Sequence, residues 1–281
     1  AALRPLADRL SQVLGQPCVI DNRPAGAGVA GVVAAVNAPK DGHTLLFTGQ
    51  GQISFLAALR GPKLPYEPLK ELAPIVRIGS LESLFMVQPN VPAKNLGELF
   101  ALVKAKPDTV SVGTWGSSST SNLYIEYLRK AKGIPFFNVP YKSAAQALQA
   151  GVSGEVMVTI FAQGNSTPLV KSGKFRALAA TGHKRAPAMP DLPTLREAGV
   201  DLDIATWIGL FAPAGAPRDV VARVNGEVNK LLRDPSFADK VLVSVGFQPE
   251  DPNSPEEFMA FLKRDRQNYA EVIRVAGIKD E

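Results

Sequence analysis

Between Gly113 and Ser121 the sequence reads Gly-Thr-Trp-Gly-Ser-Ser-Ser-Thr-Ser, ending in five successive hydroxyl side chains. The stretch lies between a strand-like Val110–Val112 and a helical pattern that begins near residue 120. A Gly- and Ser-rich strand-to-helix loop offers unpaired backbone N–H groups and hydroxyls at the positive end of a helix dipole, which suits a carboxylate or a phosphate. Gly116, Ser117, Ser118, Ser119 and Thr120 are therefore candidate anion ligands; a turn with ordinary Ser/Thr capping is the competing reading. Thr48, Gly49, Gln50 and Gly51 hold the same strand-to-helix position in the first half of the chain, where open α/β sheets place ligands, although a plain Gly-rich turn accounts for the same residues. Ser143 heads a third helix and can donate likewise, while Gln146 three residues on marks it as a cap. Trp115, Phe161 and Trp207 are candidate pocket walls, with core the default reading for each.

Other chemistry is thin. Gly26-Ala27-Gly28-Val29-Ala30-Gly31 spells a dinucleotide fingerprint between a short apolar run, Cys18–Ile20, and a helix of small residues. Asn22-Arg23-Pro24 separates run from glycines, and no acidic residue ends a strand some 20 residues on, so a glycine-eased helix start packed on a sheet is preferred over a nucleotide site. His43 beside a turn and His183 beside Lys184-Arg185 read as surface residues, without H-E-x-x-H or G-x-S-x-G context. Glu71, Glu82, Glu126 and Glu155 fall in unrelated elements and read as solvated. The single cysteine, Cys18, forms no internal disulfide and no Cys-based metal site, and its strand-like run predicts burial. No catalytic set, cofactor or metal is expected. The nucleotide-dependent enzyme stays as an alternative reading.

The elements that must hold these residues follow from the patterning. Apolar positions at helical spacing predict helices over 3–14, from the Gly-rich 24–31 to about 37, over 53–59, 95–105, 120–132, 143–151 and 165–172, from 217 through 232, and from 254 through 272. Short apolar runs predict strands at 18–20, 43–48, 74–79, 83–88, 110–112, 136–139, 156–161, 175–180 and 204–211. Strand and helix alternate, which argues for mostly parallel α/β sheets. The 281 residues suffice for about two domains, and the 46% hydrophobic and 20% charged content is that of an ordinary globular protein. The first stretch, interrupted by Arg4, Asp8 and Arg9, has no apolar signal-peptide core, and no run reaches a membrane span. The net charge of +5 mildly favours anionic ligands; because the basic residues are spread in pairs, nucleic acid is not the expected partner.

Seven ordered stretches carry a resemblance. They are Val19–Pro24, Pro39–Leu46, Leu64-Pro65-Tyr66, Val139–Lys142, Gly173–Ala179, Lys184-Arg185 with Met189–Thr194, and Gly209–Gly215. Together they resemble the Bug proteins, the TctC-like periplasmic receptors of tripartite tricarboxylate transporters. The resemblance implies an α/β, two-lobed periplasmic binding protein of the Venus-flytrap, type II-like architecture, each lobe a mostly parallel sheet flanked by helices. It implies a lobe one of residues 1–87 and 208–281, with the C-terminal helix packed back on it, and an inserted lobe two of residues 88–207. The chain is expected to cross near 86–88 and 206–209. It further implies a monomer in the periplasm, a small carboxylate or dicarboxylate held in the interlobe cleft, delivery to a membrane permease, and no catalysis. By position, 116–120 resembles the family's ligand loop and 48–51 the facing loop of lobe one. A ligand-free sensor or interaction protein on the same fold is the other alternative.

Three departures from the family pattern shape the expected ligand. Family members carry a strand and a Pro/Gly-rich, carboxylate-binding loop ahead of the helix with which this sequence opens; either that segment precedes the sequence or lobe one binds differently. Asn122 stands where a histidine often follows the ligand-loop serines, and Lys142-Ser143-Ala144 stands for Lys-Gly-Gly or Lys-Gly-Ser. Met157 and Phe161 occupy positions that are often acidic, which leaves a ligand ammonium less company. The expected ligand is therefore an acid with an apolar or aromatic body, and not an amino acid.

Overall fold

The structure, a computed structural model, describes residues 3–280 apart from 24, 27, 116–118, 183, 184, 186–188, 203, 205 and 244–246. The chain divides into two units: residues 1–80 with 206–270, and residues 81–205 with 271–281. Unit one holds a four-stranded sheet in the order β1 (Leu46–Gly49), β8 (Thr206–Pro213), β2 (Leu72–Leu81), β9 (Phe247–Pro249). Unit two holds five strands in the order β5 (Phe137–Pro140), β4 (Ser111–Thr114), β6 (Val158–Ala162), β3 (Ser83–Val87), β7 (Arg176–Ala180). Among the described residues no helix is long and apolar enough to cross a membrane.

In unit one the helix α1 (Leu3–Leu14) turns Leu6 and Leu10, four residues apart, onto Val224, Val228 and Leu232 of α9 (Arg218–Arg233). These one-face stripes close over Ile75, Val76 and Ile78 of β2, the burial that an amphipathic pattern demands. The sheet itself departs from the expected parallel arrangement. β1 pairs antiparallel with β8, Leu46 opposite Phe211 and Gly49 opposite Ile208. On the other side of β8, the Ala214 amide donates to the Glu71 carbonyl just before β2, and Gly209 backs onto the Val76 carbonyl, an out-and-back register. The reason is topological: the chain leaves unit one through β2 and returns through β8, and alternation in sequence sets strand direction only where a helix links neighbouring strands.

The expected strand at Cys18–Ile20 is not formed. Val19 is 89% exposed and Cys18 only half-buried; its amide donates to Ser11 Oγ at 2.8 Å instead of to a neighbouring strand. A helix that the patterning passes over, α10 (Pro235–Val241), follows Asp234, whose carboxylate accepts the Ser236 amide while Pro235 takes the first helical position.

Three asparagines pin β2 to its surroundings. The Asn253 carboxamide accepts from Arg77 N and donates to Arg77 O, both at 2.9 Å, so a side chain stands in for the backbone of a neighbouring strand. Asn225 Nδ2 donates to the carbonyls of Ile75 and Asn253, and Asn229 both donates to the Asn253 carbonyl and accepts from its amide. The Arg77 side chain lies 4.0 Å over the Phe261 ring and pairs with Glu250 at 2.6 Å. Phe261 belongs to α11 (Pro255–Ala276), whose start is a complete capping box: Ser254 Oγ accepts from Glu257 N and the Glu257 carboxylate accepts from Ser254 N.

In unit two β4 is parallel to both β5 and β6, while β3 is antiparallel to both β6 and β7, so four of the five strands point one way. β3 pairs within this sheet, so the chain changes unit at 80–81 and not near 86–88; it changes back at 205–206. Residues of α11 up to 270 group with unit one and 271–281 with unit two, so the final helix is not confined to the first lobe as expected. Replacing Asn253 by Ala strands the Arg77 amide and carbonyl together; urea denaturation should show a loss of about 2–3 kcal/mol, against a few tenths for an exposed surface site.

Candidate functional site

The parallel strands of unit two decide where a ligand can sit. β4, β5 and β6 lie side by side, so the helices that follow them, α6 (Thr120–Lys132), α7 (Ala144–Ser153) and α8 (Gln163–Lys171), all present their N-termini at one sheet edge. The faces alternate as a pleated strand requires. Thr114 on β4 connects through Asn138 to Asn122 of α6, whereas Gly113 on β4 and Thr159 on β6 face Ala147 and Gly151 of α7. Leu169 and Val170 of α8 pack with Phe161 and Leu84 on that second face. From β4 the chain leaves by α6 toward β5, and from β6 it leaves by α8 toward β7, on opposite faces and in opposite directions. The crevice outside the ends of β4 and β6 is thus a topological switch point, the place where open α/β sheets hold ligands.

Several predicted residues meet there. Trp115 follows β4 and Phe161 nears the end of β6; their rings touch edge to face, centroids 5.6 Å apart at 66°, and both are half-buried. Ser119 caps α6, its Oγ accepting from Asn122 N at 3.2 Å and lying 3.1 Å from Ser121 Oγ, and Thr120 is the first helical residue. Ser143 caps α7 by accepting from Gln146 N at 3.3 Å, so it does what the capping pattern predicts, at the same sheet edge. No side chain caps α8; the Gln163 amide donates to the Glu82 carbonyl. Gly116, Ser117 and Ser118 lie outside the described residues, as does His183. Trp207 does not belong to this group: it is fully buried in unit one, its indole N–H donating to Asp265 at 2.8 Å.

What positions α6 is a relay that sequence reasoning missed. Thr114 Oγ1 donates to Asn138 Oδ1 and Asn138 Nδ2 donates to Asn122 Oδ1, each at 2.8 Å, and the Asn122 amide closes the chain on Ser119. The end of β4, the middle of β5 and the first turn of α6 are thereby locked together with their polar groups satisfied. Nothing in the spacing marks Asn138, since its register opposite Val112 appears only once β4 and β5 are paired. Next to it, Tyr141 donates to Glu155 at 2.7 Å, and burial together with that carboxylate pushes its hydroxyl up to about 12, so it is a neutral donor at physiological pH. Gln163 was also missed: it is 3% exposed, yet its Oε1 has no hydrogen-bond partner.

The second predicted cluster lies in unit one and is not a loop. Thr48 and Gly49 are strand residues, and Gln50 leads directly into a π-helical turn, Gly51–Phe55, continued by α3 (Leu56–Arg60). A Cβ at Gly49 would fall on the Trp207 carbonyl oxygen, so only glycine lets β1 lie this close to β8. Thr48 Oγ1 donates to Gln52 Oε1 at 3.0 Å. The Gln52 carboxamide in turn fills the space beside Gly28, whose φ of 87° opens α2 (Val29–Val36). Gly28 is therefore a left-handed cap residue packed against the Thr48–Gln52 turn, and without a strand at Cys18–Ile20 the glycine motif lacks the context of a dinucleotide site. A separate groove of about 640 Å³ runs along the edge strand β7 past Phe175, Met189 and Leu192. It contains none of the predicted residues, and its Arg176 is engaged by the carbonyls of Pro89, Val91 and Ala93.

The sequence model described as the tripartite tricarboxylate transporter family receptor matches residues 2–278. Among solved structures, Rpa4515 of R. palustris with adipate is 30% identical, covering 99% of this chain and 92% of that one at a TM-score of 0.78. The periplasmic binding protein BugD is 28% identical, with coverage of 100% and 93% and a TM-score of 0.75. MatC from Rhodopseudomonas palustris with bound malate is 28% identical, with coverage of 97% and 93% and a TM-score of 0.74.

If the relay holds α6 in place, Asn138→Ala should cost about 2–3 kcal/mol in chemical denaturation, because it strands the buried Thr114 hydroxyl and Asn122 carboxamide together. Ser119→Ala, which removes a single cap, should cost about 1 kcal/mol.

Proposed function

This chain belongs to the tripartite tricarboxylate transporter receptor family, and from that premise we propose that it captures a small organic carboxylate or dicarboxylate in the periplasm and delivers it to the membrane permease of such a transporter. Related proteins of known structure carry adipate and malate, both small organic acids. The observation that supports the reading most is the convergence of three helix N-termini on the switch point between β4 and β6. Backbone N–H groups and the hydroxyls around Ser119 and Thr120 neutralise a carboxylate there, and because they are preformed they avoid the desolvation cost of burying a charged partner. The Trp115–Phe161 pair gives an apolar surface for the body of the acid. In unit one, Thr48, Gly49 and Gln50 form a second strand-to-helix element. The protein acts without catalysis and as a monomer.

A ligand that binds only the folded protein raises its melting temperature by mass action, by about 2.7 kcal/mol of stability at one hundred times Kd. A thermal-shift series over adipate, malate, succinate and phenylacetate should therefore give a concentration-dependent rise with at least one acid, and none with glutamate. A flat response to every carboxylate would return the protein to the ligand-free sensor reading, and tight glutamate binding would overturn the choice of an apolar-bodied acid.

A further inference from the structure

The groove along β7 belongs to no part of the carboxylate site, yet both of its walls are fixed. β7 is the last strand of its sheet, and among the described residues the one backbone pairing on its outer side is a single bridge, Ala180 with Thr194. From that bridge toward the start of the strand, the groove of about 640 Å³ runs past Ala177, Arg176 and Phe175, facing the turn Met189–Leu192. Arginines hold the two sides. Arg185 donates to the Pro190 carbonyl at 3.2 Å and pairs with Glu197, whose carboxylate accepts from Thr194 N. Arg176 donates to the carbonyls of Pro89, Val91 and Ala93. The floor is apolar: Val170, Ala177, Met189 and Leu192 pack on the buried cluster of Leu84, Met86 and Phe175 and are themselves only half-buried. A preformed concave surface of this size, with its apolar lining still partly wet, gains from whatever covers it.

We propose that this groove docks an extended, acidic segment of a partner protein, with an apolar side chain on the floor of Phe175, Met189 and Leu192 and carboxylates toward the turn from α8 into β7. Charge selects that occupant. Lys171 and Lys174, exposed and without an ion pair among the described residues, flank Gly173 of the groove, whereas Asp191 is the one carboxylate among the lining residues. The Arg176 guanidinium is already engaged and leaves the balance to those three. A segment with Glu or Asp beside an apolar residue complements such a rim, and a basic segment is repelled by it. Backbone geometry selects the extended form, because an edge strand presents unpaired main-chain groups to which a peptide can add as a short strand. A second copy joined edge to edge fits less well: the β3–β7 ladder slips between Phe85 and Met86, and a bulged edge resists continuation of one sheet into another while still leaving room for a short segment. An anionic bilayer offers the same charge on a flat surface, which does not reach a recessed floor.

The probe is a short fluorescein-labelled peptide alternating Glu with Leu, compared by fluorescence anisotropy with its Lys-Leu and Glu-Ser counterparts. The Glu-Leu peptide should bind the wild-type protein about tenfold or more tightly than either counterpart, and less tightly as salt rises. Hydrogen exchange in its presence should protect amides in 176–178 and 189–192. The double variant Lys171→Glu, Lys174→Glu changes two exposed residues outside the carboxylate site and should reverse the preference between the Glu-Leu and Lys-Leu peptides, which a merely unfolded protein cannot do. Met189→Gln keeps the length of the side chain and should weaken the Glu-Leu peptide about fivefold. No binding of that peptide, equal binding of all three, protection elsewhere, or a preference that survives the charge reversal overturns the proposal. So does binding to phosphatidylglycerol vesicles that displaces the peptide, which assigns the face to a membrane, or a dimer in sedimentation that Met189→Gln dissociates, which assigns it to a second copy. None of these outcomes bears on the carboxylate-receptor reading, whose site lies at the ends of β4 and β6.

Discussion

Everything in unit two depends on one constraint: parallel neighbours in a sheet cannot be joined by a tight turn. β4, β5 and β6 must be linked by crossovers of a dozen or more residues, so each following helix starts at the same edge, and the right-handedness of the crossover sets the face that it covers. The order β5-β4-β6 then forces α6 and α7 onto opposite faces and opens the crevice between the ends of β4 and β6. An electropositive sheet edge is thus a consequence of strand order before any particular side chain is considered. Side chains refine it: Trp115 and Phe161 give it an apolar wall, Ser119 and Ser143 cap two of the three helices, and Gln163 leaves one acceptor open at the third.

Polar networks do the positioning in both units, by different routes. In unit two the Thr114–Asn138–Asn122 relay joins two strands to a helix start through hydrogen-bonded, largely buried side chains. In unit one the asparagines 225, 229 and 253 borrow the backbone of β2, with Asn253 imitating a strand partner at Arg77. Such networks stabilise modestly when complete and cost heavily when one member is lost, which makes them better at specifying a single arrangement than at adding stability. Unit one also depends on close backbone approach: at Gly49 the absence of a side chain lets β1 meet the Trp207 carbonyl, and Trp207 is held from behind by Asp265.

Much of this was legible in the residues, and the exceptions share a cause. Helix caps are local, so Ser143 with Gln146 reads correctly, down to the amide that the side chain accepts. The Trp115–Phe161 contact was foreseen only as two candidate walls; what brings them together is the parallel register of Gly113 with Thr159, a pairing between residues 46 apart in sequence. Strand direction in unit one was misread for the same reason, since β2 and β8 are separated by the whole of unit two. The Cys18–Ile20 run looked like a strand because its residues are apolar, and a strand exists only if something pairs with it. Asn138, Asn253 and Gln163 carry no pattern in sequence, because what distinguishes them is which distant atoms they reach or fail to reach.

The central claim is that an acid binds where β4 and β6 end. A crystal structure of the protein grown with saturating malate tests it most directly. The account predicts a carboxylate against the first-turn amides of α6, within hydrogen-bonding distance of Ser119 or Thr120, with the body of the acid on the Trp115 and Phe161 rings. Malate ordered only in the groove along β7, or only against the β1 end of unit one, would contradict it.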